Sequence, residues 1–85
     1  MNYEFHPEAE EEFIEQAARY DSEVVGLGAR FGDELYRVIE LILENPGIGA
    51  PVDENLYHFV LRRFPYSVVY AVVADTLFIV AVAHG

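Results

Sequence analysis

The chain contains no cysteine and no lysine, so all of its positive side-chain charge rests on five arginines. Without cysteine there can be no disulfide, no thiolate nucleophile and no zinc–thiolate site, which fits a reducing compartment. Fifteen carboxylates stand against those arginines and give a formal net charge of −10. A negative field of that size repels phosphate backbones, so direct nucleic-acid binding is not expected. The opening Met1-Asn2-Tyr3-Glu4 lacks the basic and apolar regions of a secretory signal, and a cytoplasmic location is expected. The longest apolar run, about Val68 to Val82, is broken by Asp75 and Thr76 and is too rich in β-branched residues and alanine for a membrane span. Internal repeats, low-complexity tracts and linkers are also missing, so the 85 residues read as one domain, 1–85. A domain this small buries only about 60% of its unfolded surface. Its hydrophobic fraction is nevertheless 53%, so either the core is unusually apolar or apolar surface is kept for a partner.

Six elements and one extended loop follow from the pattern. Residues 2–6 alternate polar and aromatic, a strand signal with Tyr3 and Phe5 on one face. Pro7 suits the first position of a helix, and Glu8, Glu10, Glu11 and Glu12 suit the positive end of its dipole. Ala9, Phe13, Ala17 and Tyr20, with Ile14 and Ala18 beside them, form an apolar stripe, so a first helix is expected from Pro7 to Glu23. Val24-Val25-Gly26-Leu27-Gly28 breaks it. Leu27, Phe31, Leu35, Val38, Ile39 and Ile42 then mark a second helix, which Asn45-Pro46-Gly47 stops. Arg30 with Glu34 and Asp33 with Arg37 have the spacing of helical ion pairs. The short link implies an antiparallel helical hairpin. Residues 45–55 read as a loop, and strands are expected at 56–63, 66–74 and 76–83, joined at Phe64-Pro65 and Ala74-Asp75-Thr76 as an antiparallel meander.

The last two strands are apolar on both faces. Tyr66, Val68, Tyr70 and Val72 alternate with Val69, Ala71 and Val73; Leu77, Ile79, Ala81 and Ala83 alternate with Phe78, Val80 and Val82. Two helices cover one side of a sheet, so something else should cover the other: a partner segment, a second copy in a homodimer, or further residues.

Chemical motifs are few. His6 and Glu10 have the spacing of a metal pair, but His6 precedes the proline at the helix entry, and no HExxH or further ligand cluster supports a metal. The Glu8–Glu12 run reads as a solvated first turn rather than as an acid–base pair. Gly26 and Gly28 have neither the preceding strand nor the lysine of a phosphate loop, and Ser67 has no nucleophile-elbow context. No cofactor is implied. The polar and aromatic group Tyr57, His58, Arg62, Arg63, Tyr66 and Tyr70 has the character of a contact surface, with His58 and Arg62 expected on the face of Val60. It reads equally as an edge strand protected by charge.

Particular words now matter: Pro7-Glu8-Ala9-Glu10 opening the first helix, Gly26-Leu27-Gly28-Ala29-Arg30-Phe31 opening the second, and Glu44-Asn45-Pro46 closing it. After these come Leu61-Arg62-Arg63-Phe64-Pro65-Tyr66-Ser67-Val68-Val69-Tyr70 and Ala81-Val82-Ala83-His84-Gly85. In this order and spacing the chain resembles the RelE/ParE toxin superfamily, in particular its ParE-like plasmid-stabilisation branch. The resemblance covers nearly the whole chain. It implies an α+β fold of order β-α-α-β-β-β, a helical hairpin packed on one face of a small, mostly antiparallel sheet. It also implies the toxin half of a bacterial type II toxin–antitoxin pair, neutralised by a cognate antitoxin that wraps an extended or helical segment around it.

The superfamily divides in mechanism. ParE-like members are described as poisoning DNA gyrase by protein binding; RelE-like members cleave messenger RNA on the ribosome. Cleavage needs cations to neutralise a phosphoryl transition state and a group to manage the 2′-hydroxyl proton. Where active nucleases carry basic residues on the meander, this chain has His58, Val60 and Ser67. Their arginine-bearing continuation past the final strand has no counterpart before Gly85, so the family's C-terminal tail is expected to be absent. The resemblance therefore favours a ParE-like toxin acting by protein contact and leans away from an enzyme. The contact candidates are His58, Arg62, Arg63, Tyr66, Tyr70 and His84. The alternatives are a ribosome-dependent endoribonuclease and a non-toxic binding or dimerisation relative of the same fold.

Overall fold

The computed structural model describes residues 1–85. Strand β1, Asn2–Phe5, is followed by helices α1, Pro7–Glu23, and α2, Leu27–Glu44. A 3-10 turn, Pro46–Ile48, leads into a two-residue strand β2, Ala50–Pro51. The meander β3, Tyr57–Val60, β4, Tyr66–Val73, and β5, Thr76–His84, completes the chain. The sheet order is β1-β5-β4-β3-β2, with β1 parallel to β5 and every other pair antiparallel. The α+β architecture, the helix boundaries and the order of the main strands agree with the sequence reading. No helix is long and apolar enough to cross a membrane.

The helix ends have identifiable causes. His6 caps α1: its Nδ1 accepts a hydrogen bond from the Glu8 N–H at 3.3 Å, and Pro7 occupies the first turn where no N–H is needed. This imidazole is the expected helix-entry side chain. Between the helices Gly26 takes φ 87°, a left-handed conformation that a side chain disfavours. At Gly28 the helices approach so closely that a Cβ would collide with the Ala17 carbonyl oxygen, and the Gly28 N–H donates to Asp21 Oδ1 at 2.7 Å.

The core is one cluster of 13 buried residues. Helix α2 supplies Phe31, Leu35, Val38, Ile39 and Ile42, whereas α1 fully buries only Ala9 and packs Phe13, Ala17 and Tyr20 against the margin. Ile14 and Ala18, expected beside that stripe, face solvent. The sheet contributes Tyr66, Val68, Tyr70, Leu77, Ile79 and Val82, and the turn before β4 adds Leu61. Phe31 is the aromatic hub, with ring centroids 5.2 Å from Tyr20, 5.2 Å from Phe64 and 5.3 Å from Tyr66.

Three strand-level expectations are corrected. The segment 45–55 is not all loop: Ala50 pairs with His58 and Pro51 with Tyr57, so β2 rather than β3 forms the edge. Proline suits that edge because it lacks the N–H a further strand would use. The chain between β3 and β4 turns over residues 61–65, so Arg62 lies on the turn and not on the strand face of Val60. Finally, the β4–β5 register shifts between Val69, which faces Ala81, and Tyr70, which faces Ile79. This bulge inserts one residue, so Val82 points inward with Ile79, and Ala81 and Ala83 point outward.

Candidate functional site

The turn between β3 and β4 is held at both ends. Leu61 is buried and its N–H donates to the Tyr66 carbonyl at 2.8 Å; Phe64 packs on Tyr20 and Phe31. With Leu61 and Phe64 turned inward, Arg62 and Arg63 are thrown outward and exposed. Arg63 sits at φ 71°, a conformation that costs a non-glycine residue roughly 1–2 kcal/mol. Glu34 fixes the turn from α2, accepting the Arg62 N–H on Oε2 at 2.7 Å.

The same carboxylate accepts a bidentate pair from Arg37, Nε to Oε1 at 2.9 Å and an Nη to Oε2 at 2.8 Å. This is the one ion pair in the structure, so the expected Arg30–Glu34 and Asp33–Arg37 pairs do not form. Glu34 turns instead to Arg37 and the Arg62 amide. The Arg37 guanidinium holds the Glu34 carboxyl below the usual glutamate range, helped by the Arg62 amide, while partial burial works against this. Glu34, Leu61 and Phe64 position the arginines; sequence reading placed Phe64 at the turn but gave none of the three this role. The signal was the Arg-Arg pair between two large apolar residues, which suits a turn better than a strand.

The register defines the sheet face turned away from the helices. Ser67 faces Ala83, Val69 faces Ala81, Ala71 faces Phe78 and Val73 faces Thr76 across β4 and β5. Val60 and His58 of β3 join it opposite Ser67 and Val69; Asn2 and Glu4 of β1 join it opposite Thr76 and Phe78. Directly opposed residues share a face. The centre is therefore Val69, Ala71, Phe78 and Ala81, with Val60, Val73 and Ala83 around it and polar groups only at the rim. Neither helix covers it, and Val60 and Val73 are each 59% exposed. Apolar surface on both faces of the closing strands is thus present.

The six candidate contacts separate. His58 lies half-buried on the outer face beside Val69, and Arg62 and Arg63 stand on the turn at that end of β3. Tyr66 and Tyr70 do not belong with them. Both point to the helices; Tyr70 is fully buried and Tyr66 9% exposed, because strand alternation gives them the inward positions shared with Val68. Their hydroxyl pKa values are raised, chiefly by burial. Tyr70 is an internal strut: its hydroxyl donates to the Pro46 carbonyl at 2.8 Å and accepts the Gly49 N–H at 2.9 Å. His84 packs edge-on against Tyr66, ring centroids 5.1 Å apart, at the mouth of a cleft beside α1. That cleft also holds Glu12, Glu15 and Arg19; a second, lined by Pro46, Glu54, Tyr57 and Val72, lies by the 3-10 turn. Neither brings Arg62, Arg63 or His58 together. No group of three or more acidic, histidine or cysteine side chains is placed to hold a metal.

No curated protein matches the chain in sequence. Among solved structures, a chain of the chromosomal ParDE toxin–antitoxin system of P. aeruginosa superposes with a TM-score of 0.84 at 14% identity, covering 99% of this chain and 95% of that one. At that identity the likeness establishes the fold. The family model for the ParE toxin of the type II toxin–antitoxin system parDE matches residues 3–85. Running from within β1 to the end of β5, that match shows that the chain belongs to the ParE toxin family of type II toxin–antitoxin systems.

Proposed function

We propose that this ParE-family toxin acts by protein–protein contact and that its cognate antitoxin neutralises it by covering the outer face of the sheet. The observation that carries this reading is the uncovered apolar strip of Val69, Ala71, Phe78 and Ala81, flanked by Val60 and Val73. A contiguous apolar patch with a polar rim is the usual form of a protein-binding surface. Arg62, Arg63 and His58 stand at its β3 end, where they serve as orienting contacts; arginine is enriched at such anchors. Arg62 and Arg63 have no carboxylate within ion-pair distance and are free to meet one on a partner. DNA gyrase is the proposed cellular target, following the ParE-like branch.

The test is co-expression with the product of the adjacent gene, followed by pull-down and growth measurement. The antitoxin should co-purify and restore growth. Val60→Asp with Val73→Asp places charge on two exposed sites without touching the core, and should abolish co-purification while leaving the chain folded. Growth arrest with a DNA-damage response and intact messenger RNA supports gyrase. Cleaved messenger RNA would move the reading to the ribosome, and unimpaired growth on uninhibited expression would overturn toxicity.

A further inference from the structure

Strand β1 accompanies β5 only as far as Ile79, so from Val80 to His84 the outer edge of β5 has no strand beside it. This edge borders a cleft of about 330 Å³ between β5 and α1. The Val82 N–H points to the strandless side and is accepted by Glu12 Oε1 at 3.1 Å. By alternation, the next main-chain groups on that edge are those of His84. An open edge of this kind is a template for strand addition, and here a carboxylate on an exposed side chain occupies its donor.

We propose that this edge accepts an extended segment of a second protein, about five residues long to match Val80–His84, with arginine or lysine at alternate positions. Charge selects the occupant. Glu12 and Glu15 line the cleft from α1, Glu8 and Glu11 lie one turn away, and Arg19 is the single cation on that helix. A second copy of this chain would bring a further −10 of charge, and an acidic segment would meet the same repulsion. When a carbonyl of the incoming segment takes the Val82 N–H, the Glu12 carboxylate is released beside it. There it pairs with a basic side chain of the segment, so the group that closes the edge becomes the contact that reads the ligand. The cleft lies on the helix side of the sheet, apart from the apolar outer face, and does not depend on what covers that face.

The probe is a labelled peptide, acetyl-Val-Arg-Val-Arg-Val-amide, titrated into the full chain at low ionic strength and followed by anisotropy. Acetyl-Val-Glu-Val-Glu-Val-amide is the control, and amide chemical shifts locate the site. The arginine peptide should bind, the glutamate peptide should not, and the largest shifts should fall at Val82 and His84. The double variant Glu12→Gln/Glu15→Gln keeps an acceptor for the Val82 N–H and so keeps the fold, yet should weaken binding by about tenfold. Equal binding of the two peptides, no binding at millimolar peptide, unchanged affinity in the double variant, or shifts centred on Val69 and Phe78 would each overturn the proposal.

Discussion

Replacing Tyr70 by phenylalanine removes one oxygen atom from the interior and leaves the ring in place. That oxygen joins two points of the segment after α2, donating to the Pro46 carbonyl at 2.8 Å and accepting the Gly49 N–H at 2.9 Å. Gly49 is buried, so its amide loses its partner with no route to water; Pro46 is half-buried and can find a replacement. An unpaired buried backbone group costs about 1–3 kcal/mol, and with one group stranded we expect about 2 kcal/mol. In a chain of this size each kcal/mol moves the melting temperature by roughly 4–8 °C, so Tm should fall by about 8–16 °C. Urea unfolding monitored by circular dichroism measures the loss, and an unchanged denaturant slope would show that the unfolded ensemble is not the cause. Amide exchange at Gly49 should accelerate with it. A companion variant sharpens the test. In Gly49→Ala the new Cβ would lie 2.6 Å from the Tyr70 hydroxyl and 2.8 Å from the His58 carbonyl. Combined with Tyr70→Phe, the hydroxyl collision disappears while those with the His58 carbonyl and with the ring Cε1, 2.9 Å away, remain, so the two costs should fall short of additivity. A loss below about 0.5 kcal/mol with Gly49 still protected would refute the view that this hydroxyl ties the segment down.

The helices were legible because their evidence is local. The Phe31, Leu35, Val38, Ile39 and Ile42 spacing, the proline at position 7 and the Asn45-Pro46 stop each depend on neighbours a few residues away. The sheet was legible in order but not in register. A one-residue bulge opposite Val69 and Tyr70 exchanges the facing of everything after it, and nothing in Val80-Ala81-Val82 announces where the extra residue falls. The same limit applied to the candidate contacts. Tyr66 and Tyr70 looked like interface aromatics by type, yet side-chain type does not say which face of a strand is inward. The β2 pairing escaped because Ala50-Pro51 is two residues long and is a strand only by virtue of β3. Glu34 could not be assigned to the Arg62 turn, since the contact spans 28 residues and exists only after α2 has docked. The doubly apolar character of the closing strands did survive, because it is a property of composition and not of register.

Gly28→Ala should destabilise by about 2–3 kcal/mol in urea unfolding, since its Cβ would meet the Ala17 carbonyl, which is backbone and cannot step aside. Ala74→Gly should do the reverse: Ala74 takes φ 54° in the two-residue turn between Val73 and Thr76, and relief of that conformation should raise stability by about 0.5–1 kcal/mol by the same assay. Tyr20, Tyr36, Tyr66 and Tyr70 all have pKa values raised above the ordinary 10.0, chiefly by burial. A raised folded value means stability complete below pH 10 and lost as pH climbs through the folded values, so unfolding should track ionisation read at 295 nm. Glu34 gives the opposite sign. Its folded pKa lies below the usual 4.5, lowered mainly by Arg37, so its contribution is present above pH 4.5 and disappears as pH falls through the folded value. Glu34→Gln should flatten that acid limb while leaving the alkaline limb unchanged. Because the substituted amide could still accept the Arg62 N–H but would lose the charged pairing to Arg37, amide exchange at Arg62 should rise modestly and that at Leu61 should not. If the acid limb of the variant coincides with that of the wild type, Glu34 is not the group whose ionisation holds the arginine turn.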